Sequence, residues 1–153
     1  MSNTIWVVAQ QRDGKLHKMS FEAVKAGQDL AQMTGGTVEA VVLGSQVSGA
    51  AGELAALDVA TVRTLDHEAL AEYTPGAYIG ALDAAVSQLG PAYLVLPHTY
   101  QTVDFAPRLA KRLGAALVPE VIGLESDAEG PVWRRPVMSG KLEARVRPRN
   151  AET

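Results

Sequence analysis

Three stretches of this chain are apolar almost without interruption, and they dictate most of what it can fold into. Thr4–Ala9 holds Ile5, Val7 and Val8, Thr37–Leu43 holds Val38, Val41 and Val42, and Ala92–Pro97 holds Leu94, Val95 and Leu96. A strand with one wet face alternates apolar and polar residues, whereas a continuous run fits a strand covered on both faces. Such strands belong to parallel sheets, whose crossover connections supply the covering helices. The segments between them have the helical period. From Ser20, the expected N-cap, Phe21, Val24, Leu30 and Met33 fall at helical spacing, and Gly35-Gly36 ends the helix. Ser48 to Leu57 reads as a short helix. Pro75 to Leu89 sets Tyr78, Leu82, Ala85, Val86 and Leu89 on one stripe and closes at Gly90-Pro91. Ala60–Leu65, with Thr61, Val62 and Thr64, is a third strand in chain order. A last helix opens at Asp104 or Thr102 and stops at Gly114, and Leu117–Leu124 reads as a fifth strand. The expected fold is α/β in three layers, a mostly parallel sheet with helices on both faces.

After Leu124 the pattern changes. Glu125 to Gly130 is a polar turn, and Val132–Met138 and Leu142–Val146 alternate apolar with charged residues. That is an antiparallel strand pair with one face in water, expected at the edge of the sheet. Charge is also uneven. Residues 1–133 carry 8 basic and 15 acidic groups, whereas 134–153 carry Arg134, Arg135, Lys141, Arg145, Arg147 and Arg149 against Glu143 and Glu152, a sum of +4. The basic end is either a solvated strand pair or a docking surface for an acidic partner or a ligand's phosphates.

At 153 residues the chain makes one domain, expected over 1–147, and such a length buries roughly two-thirds of its unfolded surface. It has no cysteine, which excludes disulfides, Fe–S clusters, thiolate zinc sites and cysteine nucleophiles. A net charge of −3 argues against a general nucleic-acid binder. No apolar run approaches the roughly 18 residues of a membrane helix. The start enters a strand directly with no basic leader, so no signal peptide is expected and the expected location is cytoplasmic.

The motifs for chemistry are incomplete. The dinucleotide fingerprint is absent after the first strand, where Gln10-Gln11-Arg12 stands. Gly44-Ser45-Gln46-Val47-Ser48-Gly49-Ala50 has the spacing of a phosphate loop, but Ala50 replaces the lysine that pairs with the outer phosphates. Gly44 and Ser45 still lie between a strand and a helix N-terminus, where backbone N–H groups hold anions. His98 follows the fourth strand, at the carboxyl end where open α/β sheets bind ligands. Both are cofactor-site candidates, beside the plainer reading of a connection and a structural histidine. His67-Glu68 starts like a helical zinc motif, but Ala71 stands where the second histidine belongs, and no metal site is expected. No G-x-S-x-G elbow occurs, and Glu125, Asp127 and Glu129 form a solvated cluster. In Thr102–Arg108, Pro107 favours Asp104 over Thr102 as the helix cap, since a proline costs little at the third helical position.

Taken in order, Ile5-Trp6-Val7-Val8-Ala9, Arg12-Asp13-Gly14-Lys15-Leu16, Val41-Val42-Leu43-Gly44, Asp104-Phe105-Ala106-Pro107-Arg108-Leu109-Ala110 and Arg135-Pro136-Val137-Met138-Ser139-Gly140-Lys141 resemble the N-terminal domain of the electron-transfer flavoprotein alpha subunit. The resemblance runs over nearly the whole chain, and its last two segments are the most characteristic. It implies a Rossmann-like domain of the adenine nucleotide alpha hydrolase type. It also implies a beta subunit as partner and FAD as cofactor. The complex would take electrons from dehydrogenases, such as those of acyl-CoA, and pass them to a membrane quinone oxidoreductase. In that family FAD sits mostly on the alpha subunit's C-terminal domain, which has no counterpart here. Residues 148–153 would then begin the linker to it, and this chain would bind no cofactor and hold no active site. Asp104, Arg108, Arg134, Arg135 and Lys141 are the candidate interface residues, toward the beta subunit or the FAD domain. The alternative is a free-standing adenine-nucleotide-binding regulator resembling the universal stress proteins. Against it, Gly49-Ala50-Ala51-Gly52 is followed after nine residues by Val62, where that pattern needs glycine.

Overall fold

A computed structural model describes residues 2–149. The elements run β1 (Thr4–Ala9), β2 (Gln11–Arg12), β3 (Lys15–Leu16), α1 (Met19–Thr34), β4 (Thr37–Gly44), α2 (Ser48–Ala55), β5 (Thr61–Asp66), α3 (Pro75–Leu89), β6 (Tyr93–Val95), α4 (Tyr100–Leu113), β7 (Gly123–Asp127), β8 (Gly130–Val137) and β9 (Leu142–Val146). A short 3-10 turn, Glu68–Leu70, precedes α3. Four strands form a parallel sheet in the order β5-β4-β1-β6, with Ile5 level with Val38 of β4 and Tyr93 of β6. The α/β expectation holds: helices cover both faces of the parallel sheet. Trp6, Val8, Val41 and Leu43 pack on Tyr78, Leu82 and Val86 of α3 and Phe105 and Leu109 of α4. Val7, Ala9, Ala40 and Val42 pack on Ala23 and Val24 of α1 and Ala50 and Leu54 of α2. Strand geometry sends alternate side chains to opposite layers, so the continuous apolar run of β1 feeds both cores at once.

Glycine at position 27, in the middle of α1, lets that helix lie close on β1. A Cβ there would collide with the Cγ2 methyl of Val7. Asp13-Gly14 makes the expected turn between β2 and β3, with both residues at positive φ (52° and 79°), the mirror-image turn that Asp-Gly favours.

Trp6 sets a polar requirement on the α3–α4 side. Its ring is buried, so its N–H needs an acceptor, and Nε1 donates to Glu39 Oε2 at 2.9 Å. The half-buried carboxylate then needs a cation. Arg63 donates to both its oxygens at 2.5 and 3.0 Å and lies 5.8 Å from the Trp6 ring. The Arg63 guanidinium, aided by the indole N–H, holds the Glu39 carboxyl below its ordinary range.

Five local expectations are corrected. Ser20 is not an N-cap, for α1 starts one residue earlier. Ser20 is fully buried, and its hydroxyl donates to Gln10 O and accepts from Gln10 N, both at 2.9 Å, closing the end of β1. The cap of α4 is neither Asp104 nor Thr102 but Thr99, whose hydroxyl accepts from the Thr102 N–H at 3.2 Å. Pro107 therefore sits inside the helix, and the carbonyl it leaves unpaired, that of Val103, lies on the exposed side where water can serve it. Leu117–Leu124 is not a strand of the parallel sheet. Pro119 removes a ladder N–H and Glu120 takes φ 55°, so pairing starts only past them, with Ile122 N–H donating to Arg134 O at 2.9 Å. Half of the polar segment beyond it, Glu125 to Asp127, belongs to strand β7. The expected edge pair is a separate three-stranded antiparallel sheet, β7-β8-β9, attached by α1 and by Trp133 against Tyr93, ring centroids 6.1 Å apart. Residues 150–153 lie outside the described residues.

Two predictions follow from this packing. Gly27→Ala gains up to about 1 kcal/mol of helix propensity but forces α1 off β1, so a net loss of about 1–2 kcal/mol is expected in urea unfolding; a more stable variant would refute the close approach. A carboxyl held below its ordinary pKa in the fold stabilises above that pKa and stops doing so as pH falls through the depressed value. Stability should therefore decline on acidification below about pH 4–5, and the decline should be shallower in Glu39→Gln, read from urea midpoints across that range.

Candidate functional site

The carboxyl edge of the parallel sheet is where ligands bind in open α/β folds. Gly44 closes β4 there, and His98 follows β6, on the far side of β1. The loop between β4 and α2 does hold an anion, but it is the chain's own. The N–H groups of Gln46 and Val47 donate to the two carboxylate oxygens of Asp66 at 2.9 and 3.1 Å. Asp66 ends the neighbouring strand β5, and the next residue ties back to the loop through His67 N–H to Gly44 O at 3.0 Å. A phosphate at Gly44 and Ser45 would have to displace that carboxylate. Gly44 is packed as well, since a Cβ there would meet the side chains of Gln11 and Val47.

The polar groups around β1 are equally engaged with one another. Gln11 Nε2 donates to Leu43 O at 3.1 Å and Gln11 Oε1 accepts from Gly14 N–H at 3.0 Å. Thr99 donates to Gln10 Oε1 at 2.6 Å. The cavity beneath, between Val8, Tyr78, Pro97 and Phe105, measures about 10 Å³, room for about one water. His98 is exposed beside this edge. His67 serves as a cap, its Nδ1 accepting from Ala69 N–H at 3.0 Å, and among the described residues no three metal-ligating side chains cluster.

Asp104 and Arg108 do come together on α4, with Nη2 of Arg108 3.4 Å from Asp104 Oδ1. Their third member, which no sequence pattern marks, is Tyr73, whose hydroxyl donates to Asp104 Oδ2 at 2.7 Å. Tyr73 lies edge-on to Tyr78 at 4.9 Å, and burial together with the Asp104 carboxylate pushes its hydroxyl pKa upward.

The basic end is resolved by the period of the strands. Arg134 reaches Glu125 at 3.0 Å and Glu143 at 2.7 Å, Arg145 reaches Glu125 at 3.0 Å, and Arg147 pairs with Asp127 and with Glu129 at 2.6 Å. The Glu129 backbone N–H and then Arg147 hold the Asp127 carboxyl below its ordinary range. Across the whole small sheet, four carboxylates stand against five cations, so the +4 of the terminal segment is nearly cancelled by the strand before it. Glu125, half-buried, and Asp127 and Glu129, exposed, are thus all paired, a correction to their reading as a merely solvated cluster. The spacing at every second residue of Glu125 and Asp127, against Arg145 and Arg147, was the signal for it. Lys141 lies exposed in the β8–β9 turn, and Arg135 projects opposite to Arg134. Among the described residues neither forms an ion pair. The five candidate interface residues are therefore not one basic face.

Against known proteins, the family described as the electron transfer flavoprotein domain matches residues 5–151. The electron transfer flavoprotein subunit alpha of Syntrophomonas wolfei is 33% identical over 141 residues, which is 92% of this chain and 43% of that protein. The subunit alpha of Bacillus subtilis is 31% identical over 146 residues, 95% of this chain and 44% of that protein. The acryloyl-CoA reductase electron transfer subunit beta of Anaerotignum propionicum is 33% identical over 123 residues, 80% of this chain and 34% of that protein. The chain spans less than half the length of these relatives.

If Asp66 holds the β4–α2 loop, its removal should cost stability. Asp66→Ala leaves two backbone N–H groups without their acceptor and should lower the unfolding free energy by about 1–3 kcal/mol. An unchanged urea midpoint would mean that water replaces the carboxylate without loss.

Proposed function

The chain belongs to the electron transfer flavoprotein domain family, and on that premise we propose that it is the scaffold and subunit-docking domain of an electron-transfer flavoprotein alpha subunit. The observation that carries this reading is the extent of the likeness: more than nine-tenths of this chain against well under half of each alpha subunit. Residues 1–147 are the domain, and 148–153 begin the linker toward the FAD domain. The beta subunit is the partner. The complete assembly, with FAD, takes electrons from dehydrogenases such as those acting on acyl-CoA and passes them to a quinone oxidoreductase. The cofactor supplies the redox chemistry. This domain supplies position, without an active site of its own, and works in the cytoplasm. Among the described residues no helix is long and apolar enough to cross a membrane.

The residues present do not fit a flavin, which supports placing it outside this domain. The cavity at the carboxyl edge between Val8, Tyr78, Pro97 and Phe105 holds about 10 Å³, against the roughly 300–1,000 Å³ of a ligand cleft. A larger cleft of about 660 Å³ opens between α1 and residues 121–126. Its charged lining is Glu22 and Asp29 against Lys25, and Lys25 is already paired with Asp29. A pyrophosphate there would face more carboxylate than cation.

Mass spectrometry of the small molecules released on denaturing the purified chain tests this placement. No flavin is expected. Released FAD would overturn the placement, and released AMP or ATP would instead favour the nucleotide-binding regulator and point to Gly44–Gly52 and His98.

A further inference from the structure

We draw no further inference here: the strongest candidate, the exposed apolar patch of Tyr100 and Val103 on the first turn of α4 beside the Asp104–Arg108 pair, rests on exposure alone, and nothing in the structure shows what covers it.

Discussion

Strand β1 has no solvent side. From Ile5 to Ala9 its residues are at most 4% exposed, its backbone pairs with β4 throughout and with β6 from Ile5 to Val7, and its side chains enter two cores. Burial of Ile5, Trp6, Val7 and Val8 contributes roughly 1.5–3 kcal/mol each, but only if both layers are present. Everything nearby answers that demand. Gly27 lets α1 close over Val7. Glu39 accepts the indole N–H that comes with burying Trp6, and Arg63 compensates the carboxylate this requires. Where β1 ends, both backbone groups of Gln10 find the Ser20 hydroxyl.

The same demand explains the closed carboxyl edge. Loops leaving buried strands must satisfy their polar groups, with ligand, water or each other. Here Gln11, Thr99 and Asp66 make those bonds internally. The Gly44 loop keeps the backbone form that holds anions, and the Asp66 carboxylate fills it. A ligand at this edge would have to compete with those bonds.

Legibility in the sequence follows from how local each cause is. The apolar runs of β1 and β4 and the bounds of α3 were readable because period and punctuation reside in the segment itself. Leu117–Leu124 misled because its Val and Ile content favours a strand, while Pro119 and Glu120 deny it a place in the parallel ladder. Thr99 is hidden as a cap because Pro107 favours a later start; with Val103 on the exposed side of the helix, the proline is tolerated where it stands. The Gly44 loop was visible, but its occupant was not, since Asp66 lies twenty residues on and arrives only through the β4–β5 pairing. Tyr73 was invisible for the same reason, reaching Asp104 across 31 positions.

Charge was the least reliable guide when summed and the most useful when sorted by face. The terminal segment sums to +4, yet β7 and its turn bring the carboxylates that its arginines use, and the sorting depends on a period of two.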